Sequence, residues 1–224
     1  MPANLPSIQL AAAVAAGCAA VPAAAQEPPF RFELTPYAAY RIGGEFEPQS
    51  APEDIDPDGR HLDLHEGNAE GLLLDILTRE GNTQWEALYA HQSTELEAQP
   101  SFVAGPTLDI DVSYFQFGGT YLFDDVSDST APFIALTAGV TRFEPGLDDI
   151  DAENYFSWSL GGGVQLRADR RIGVRLEARL FGSIIDDESS LFCISSPPVS
   201  GCALSVEGDI LYQFEARVGV VARF

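Results

Sequence analysis

Three polar residues near the middle of the chain have the types needed for ester hydrolysis. His91 and Ser93 are two residues apart, and Glu95 follows two residues later. In an extended strand alternate residues share one face, so these side chains would lie together. A histidine oriented by a carboxylate can activate a serine hydroxyl as a nucleophile. The spacing therefore permits a catalytic set, and the simpler alternative is a histidine that lies beside a serine.

A second group of residues is suited to binding a hard cation. Asp54, Asp56 and Asp58 alternate immediately before Gly59. Carboxylates at this spacing before a turn glycine can surround Ca²⁺ with oxygen ligands. The complete calcium-binding loop ends on a glutamate, whereas His65 occupies that position here. We therefore expect a solvated acidic loop and no cofactor, with Ca²⁺ bound by these three aspartates as the alternative.

The elements that must position these residues are strands. Eight segments alternate between apolar and polar residues, which predicts strands with two different faces. The fourth segment has an ambiguous register, and we expect a bulge near Val112. The predicted strands are Phe30–Phe46, Gly71–Arg79, Thr83–Thr94, Leu108–Phe123, Pro132–Phe143, Phe156–Arg167, Arg171–Leu180 and Ile210–Phe224.

The connections between these segments alternate in length. Short turns follow the second, fourth and sixth strands, and longer or more polar connections follow the others. This plan predicts an all-β fold: an eight-stranded antiparallel up-and-down transmembrane β-barrel with short periplasmic turns and four longer extracellular loops. The alternative is a water-soluble barrel of lipocalin type, whose apolar face would line a ligand cavity. Aromatic residues near the strand ends favour the membrane barrel.

The charges are unevenly distributed between the two strand faces. The chain has 34 acidic residues and 12 basic ones, with a net charge of −22, which argues against a nucleic-acid partner. We expect the polar faces to point into the barrel with an excess of arginine, and the acids to lie mostly in the connections. The predicted lumen charges are Arg31, Glu33, Arg41, Asp75, Glu86, Arg167, Arg171, Arg175, Glu177, Arg179, Glu215, Arg217 and Arg223. Such charges must pair when they are buried, so we expect a solid polar interior. The alternative is a narrow pore that prefers anions.

The N-terminal segment has the composition of an export signal. Within residues 1–25 an Ala-rich apolar run ends at Ala25. This pattern predicts a signal peptide that is cleaved after Ala25, and a barrel domain over residues 26–224. The segment before Leu10 carries no basic residue, so the signal is atypical or the true start lies upstream. A lipidated Cys18 is the alternative. In an oxidising compartment we expect Cys193 and Cys202 to form a disulfide.

Several short sequence segments resemble those of a known superfamily. The segments Thr35-Pro36-Tyr37, Gly118-Gly119-Thr120-Tyr121 and Leu160-Gly161-Gly162-Gly163-Val164, with Phe224 closing an alternating strand, are similar to small bacterial OmpA-like and OmpX-like barrels. The resemblance implies a bacterial outer-membrane location and contact with outer-membrane lipid and lipopolysaccharide. It also implies insertion by the barrel assembly machinery, with Phe224 as the assembly signal.

The resemblance is specific for fold and weak for activity. We expect a monomeric, non-enzymatic barrel with an envelope-structural or surface-interaction role and acidic extracellular loops. A narrow channel through the arginine-lined lumen is one alternative. An esterase that uses His91, Ser93 and Glu95 is the other, because this group resembles the arrangement in outer-membrane lipid A deacylases.

Overall fold

A computed structural model describes residues 31–46, 62–78, 82–97, 107–123, 129–146, 151–167, 171–185, 190–194, 201–205 and 210–224. Within these ranges eight strands are long and four are short. The long strands are β1 Arg31–Gly43, β4 Gly67–Leu77, β5 Thr83–Glu97, β6 Thr107–Leu122, β7 Thr130–Pro145, β8 Glu153–Arg167, β9 Ile172–Ile184 and β12 Ile210–Arg223. The short strands are β2 Glu45–Phe46, β3 Leu62–Asp63, β10 Ser190–Ile194 and β11 Gly201–Ser205.

The long strands form one closed antiparallel barrel in the order β1-β12-β9-β8-β7-β6-β5-β4. Each long strand pairs with its neighbours in sequence, and β1 pairs with β12 to close the barrel. The short strands form two separate hairpins, β2 with β3 and β10 with β11, both in the long connections. We call the two ends of the barrel the short-turn rim and the long-loop rim. The described ranges hold no helix long and apolar enough to cross a membrane.

The faces of the barrel follow the predicted alternation. Outward-facing Leu136, Phe117 and Ile134 are 62%, 57% and 52% exposed, whereas inward-facing Glu86 and Arg179 are fully buried. An apolar outer wall around a polar interior is the inverse of a water-soluble barrel, because only lipid can cover so continuous an apolar surface favourably. The predicted transmembrane barrel is confirmed, and the lipocalin-type alternative is wrong.

The register sets the tilt of the strands and the width of the lumen. One row of paired residues runs around the whole barrel and returns to β1 at Arg31, ten residues before its starting point Arg41. Eight strands with this stagger tilt by about 40° and form a wall of about 8 Å radius. The interior is therefore just wide enough for its own side chains. The row is Arg41, Glu215, Arg179, Gly161, Ala135, Thr120, Gln84, Leu77 and Arg31.

The polarity of the wall inverts near the long-loop rim. There the inward side chains are apolar and the outward ones are charged, as in a soluble β-protein. We call this part the collar and the remainder the lower barrel. The collar has inward Leu108, Ile110, Val112, Phe143 and Tyr155 and outward Asp109, Asp111, Arg142 and Glu144.

The inversion explains where the predicted strands differ from the observed ones. The predicted bulge near Val112 is wrong, since Val112 pairs with Gln92 on one side and with Phe143 on the other in unbroken ladders. The change of polarity, rather than an inserted residue, made the register of this strand ambiguous. For the same reason the observed β4, β5 and β7 extend farther toward the long-loop rim than the alternation predicted.

Candidate functional sites

Arg175 is the lower centre of a charge network in the lumen. Its Nε donates to Glu177 Oε2 at 2.8 Å, and its Nη2 donates to Glu86 Oε2 at 2.8 Å. Its Nη1 lies 3.3 Å from Asp75 Oδ2. The guanidinium also lies 4.1 Å from the ring centroid of Phe133, within cation–π range. Three carboxylates from three different strands therefore surround one arginine.

Arg179 lies two inward positions above Arg175 on β9, with Glu177 between them, and shares two of its partners. Its Nε donates to Glu177 Oε1 and its Nη2 to Glu86 Oε1, both at 2.6 Å. Its Nη1 donates to Thr137 Oγ1 and Ser159 Oγ at 3.2 and 3.1 Å. Every guanidinium nitrogen of Arg179 therefore has a partner, which is the condition under which a buried charge is tolerated.

Gly161 makes room for this network on the facing strand. A Cβ at Gly161 would overlap Glu177 Oε1 and lie 2.9 Å from Arg179 Nε. A side chain at this position would therefore displace the charged groups that lie against the β8 backbone.

The upper part of the network is less completely bonded. Arg41 donates to Glu215 Oε2 at 2.6 and 2.9 Å and lies over the rings of Tyr114 and Phe181. Arg217 has longer contacts, 3.3 Å to Glu215 and 3.6 Å to Glu177. Its guanidinium lies 4.6 Å from the ring centroid of Tyr37. None of its three side-chain nitrogens has a hydrogen-bond partner within the described residues.

A separate charge pair lies near the short-turn rim. Arg223 Nε donates to Glu33 Oε1 at 2.7 Å. The other oxygen of Glu33 accepts from Gln84 and Gln165 at 3.2 and 2.9 Å. Both carboxylate oxygens of Glu33 are thus bonded to groups from other strands.

The described lumen charges balance. Five arginines and five carboxylates take part in these pairs: Arg41, Arg175, Arg179, Arg217, Arg223, Glu33, Asp75, Glu86, Glu177 and Glu215. The predicted arginine excess depended on three further residues. Arg171 precedes β9 and its side chain is exposed rather than enclosed, while the side chains of Arg31 and Arg167 lie outside the described residues. Arg41, Asp75, Glu86, Arg179 and Glu215 are fully buried, so water does not reach this layer.

The predicted trio on β5 is only partly brought together. Ser93 Oγ lies 3.4 Å from His91 Nε2 on the outer wall. The contact of the Glu95 carboxylate is with another histidine, since one of its oxygens lies 3.9 Å from His65 Nδ1. The nearer partner of His91 comes from the neighbouring strand, since His91 Nδ1 is 3.0 Å from Ser113 Oγ.

Asp111 takes the place that was expected for Glu95. Its Oδ1 lies 3.9 Å from His91 Nε2. Sequence reasoning missed Ser113 and Asp111 because the β5–β6 register, which pairs Ser113 with His91 and Asp111 with Ser93, is a tertiary property. The signal that could have revealed them is the inverted alternation of Asp109, Asp111 and Ser113 opposite the polar end of β5.

These residues belong to a polar row that crosses five strands on the outer wall. The outer polar row consists of Asn154, Arg142, Ser113, His91 and Glu70, each paired with the next. One outward position closer to the short-turn rim lies an apolar row: Phe156, Val140, Phe115, Tyr89 and Leu72. On β4 to β8 the polarity of the outer wall therefore changes between two consecutive rows.

Both rows slope, because the strands are tilted. Each step from β8 toward β4 lowers a row by about 3 Å toward the short-turn rim. At the low end, Glu70 pairs with Ala38, and outward Ile42 lies about 7 Å above Glu70 by the same geometry. The apolar outer wall thus extends closer to the long-loop rim on β1 and β9 than on β4 and β5. We call the polar interruption of this wall at the low end of the outer polar row the notch.

The remaining predicted sites lie mostly outside the described residues. These include Asp54, Asp56 and Asp58, and residues 1–25 with Cys18. In the described part of the chain no group of three or more His, Cys, Asp or Glu side chains is arranged to hold a metal ion. The β10–β11 register pairs the backbones of Cys193 and Cys202 directly, as a cross-strand disulfide requires, and the bond itself stays a prediction. The backbone of Phe224 pairs with Phe32.

The fold has counterparts among solved structures. Neisserial surface protein A is similar over 88% of this chain and 98% of its own, at 10% sequence identity and a TM-score of 0.54. OprG from Pseudomonas aeruginosa is similar over 87% of this chain and 95% of its own, at 10% identity and a TM-score of 0.50. No family model and no curated protein sequence matches the chain. The fold is that of the small bacterial outer-membrane β-barrels.

Proposed function

We propose that this protein is a sealed barrel of the bacterial outer membrane that acts through its collar and long connections, as a structural or surface-interaction component of the envelope. The observation that carries the proposal is the lumen. Its described charges are balanced in number and paired, and at its centre they are inaccessible to water. A pore lined by these groups would leave them hydrated, so the interior serves as a scaffold.

Conductance distinguishes this role from the channel alternative. Purified protein in a planar bilayer should give no ohmic conductance at neutral pH. Truncation of Arg175, which crosses the lumen to Asp75 and Glu86, should open a leak, whereas the exposed Arg142→Ala variant should stay silent. Steady wild-type conductance that changes in size or ion preference with Arg175→Ala would contradict the proposal.

The location and orientation can be tested together. We propose that the long-loop rim faces the cell exterior, as in the general plan of such barrels. A cysteine at Asp109, an exposed collar residue, should react in intact cells with a maleimide that does not cross membranes. A cysteine at Tyr121, near the short-turn rim, should react only after lysis and solubilisation. The opposite pattern would reverse the orientation.

The esterase alternative has one specific observation in its favour, the Ser113–His91–Asp111 group. Two features oppose catalysis. The ladders on both sides of β6 engage the backbone N–H groups of Asp111 and Ser113, so neither is free to stabilise an oxyanion. The nearest cation by register, Arg142, is held by Glu144 at 3.2 Å. We therefore propose a non-enzymatic role, and ester hydrolysis that Ser113→Ala abolishes would overturn it.

A further inference from the structure

The outer polar row borders an open depression on the collar. The depression is lined by Ser93, Thr94, Glu95, Asp109, Asp111 and Glu144, among others. Four of these side chains are carboxylates, and the acidic end of the row, Glu70, lies below them. The one arginine of the row, Arg142, is already paired with Glu144. The local field is therefore negative, which repels phosphate and attracts an ammonium group.

The residues on the far side of the outer polar row from the depression are suited to contact with hydrocarbon. Outward-facing Tyr89 and Phe115 form an aromatic pair with ring centroids 5.0 Å apart, and they belong to the apolar row just below the outer polar row. A ligand with a polar head and an apolar body could place its head in the acidic depression and its body against the aromatic pair. A free amine in water would contact only the depression.

The hydroxyl and imidazole groups add directional hydrogen bonding. His91 has Ser113 at one ring nitrogen and Ser93 at the other, and its side chain is 27% exposed. Ser93 is exposed beside Asp111 on the paired strand. Hydroxyl groups of a sugar can donate to the carboxylates and accept from the serines, because each sugar hydroxyl is both donor and acceptor.

We infer that this notch binds the head of an outer-leaflet glycolipid that carries a free amine. The ammonium group would lie among Asp109, Asp111 and Glu144, the sugar hydroxyls would face Ser93 and His91, and the acyl chains would lie along Tyr89 and Phe115. The inference rests on the proposed outer-membrane location and orientation. It is independent of the sealed lumen, which the conductance experiment tests separately.

The experiment compares two lipids that differ only by N-acetylation, which removes the positive charge of the amine. The full protein is placed in phosphatidylcholine nanodiscs that contain glucosaminyl diacylglycerol or its N-acetylated form, and retained lipid is counted by native mass spectrometry. The wild type should retain the free-amine lipid about tenfold more than the N-acetylated lipid, as the loss of one charge-assisted hydrogen bond predicts. Soluble glucosamine should compete poorly, because it lacks the acyl chains.

Two variants locate the site. Asp111→Asn combined with Glu144→Gln should abolish the preference for the free amine, and Asp151→Asn, an exposed acid before β8, should leave it unchanged. Both carboxylates of the double variant face outward, so folding is checked simply by the heat-dependent gel shift of the barrel. Equal retention of the two lipids by the wild type, preferential retention of phosphatidylglycerol, a dimer in place of bound lipid, or strong competition by soluble glucosamine would each overturn the inference.

Discussion

The two halves of β6 follow opposite rules. In the lower barrel its inward residues are polar and its outward residues are aromatic, whereas in the collar the inward residues are aliphatic and the outward residues are acidic. The pairs that show this are Gln116 and Thr120 against Phe115 and Phe117, and Ile110 and Val112 against Asp109 and Asp111. One continuous strand is thus surrounded by lipid in the lower barrel and by water in the collar. The position at which the pattern inverts marks the change from lipid to water.

The two regions are held together by different interactions. The interior of the lower barrel is stabilised mainly by mutually neutralised charges and hydrogen bonds, beside a small buried apolar cluster that includes Leu122 and Phe133. The collar is stabilised by burial of apolar side chains such as Ile110 and Phe143. Substitutions should therefore be costly for different reasons on the two sides of the boundary.

The largest effect should come from the best-bonded charge in the lower barrel. Arg179→Met leaves Glu86 and Glu177 without two of their shortest ion pairs, and it should lower the free energy of unfolding by about 3–5 kcal/mol. Urea unfolding in lipid vesicles measures this loss. Arg217→Met is the matched control, with a loss of only about 1–2 kcal/mol because its contacts are longer. Equal losses would show that bonding geometry does not control the stability of the network.

A cavity in the collar should act locally. Ile110→Ala removes a fully enclosed side chain and should cost about 2–4 kcal/mol. Hydrogen exchange should accelerate at the amides around Ile110 and Phe143 and stay slow around Thr120. Uniform acceleration over the whole of β6 would mean that the collar and the lower barrel unfold as one unit.

A smaller effect is expected where the β8 backbone meets the network. Gly161→Ala forces Glu177 away from its arginines and should cost about 1–3 kcal/mol. Gly162→Ala is the control, because its Cβ would point outward and meet Phe133 O at an ordinary 3.6 Å. Thermal unfolding by the gel-shift assay compares the two variants. A harmless Gly161→Ala would show that the network can shift at little cost.

The smallest effect concerns the β10–β11 hairpin. Cys193 and Cys202 should resist alkylation until a reductant is added, and reduction should leave the melting temperature of the barrel nearly unchanged, since the hairpin is a sheet separate from the barrel. Mass spectrometry after alkylation measures the thiols. Free thiols in protein purified from the envelope without reductant would exclude the disulfide.

The sequence predicted the lower barrel well and the collar poorly. Along Ile210–Phe224 and Phe156–Arg167 one face is apolar and the other polar, so alternation alone identified the strands. In the collar the alternation continues with the two faces reversed, and this reversal of polarity suggested a bulge near Val112. An alternation test reports a difference between faces, and it does not report which face is inside.

The candidate sites were predictable as sets of residues but not as pairs. Inward arginines and carboxylates could be listed from alternation, yet Glu33 and Arg223 are 190 residues apart and meet only when the barrel closes. The partner of His91 likewise depended on the β5–β6 register, which placed Ser113 and Asp111 where Glu95 was expected. Register depends on the whole barrel, so local sequence patterns do not contain it.

The central claim is that the outer wall passes from lipid to water between the apolar row and the outer polar row. Spin labels at 115, 113, 111 and 184, introduced singly as cysteines in a variant lacking Cys193 and Cys202, test it directly in liposomes. Residue 115 should be accessible to oxygen and not to a water-soluble nickel complex, residue 111 should show the reverse, and residue 113 should be intermediate. Residue 184, which belongs to the same sloping row as Phe115 but lies higher on β9, should be accessible to oxygen. Nickel accessibility at 115, or oxygen accessibility at 111 equal to that at 115, would contradict the account.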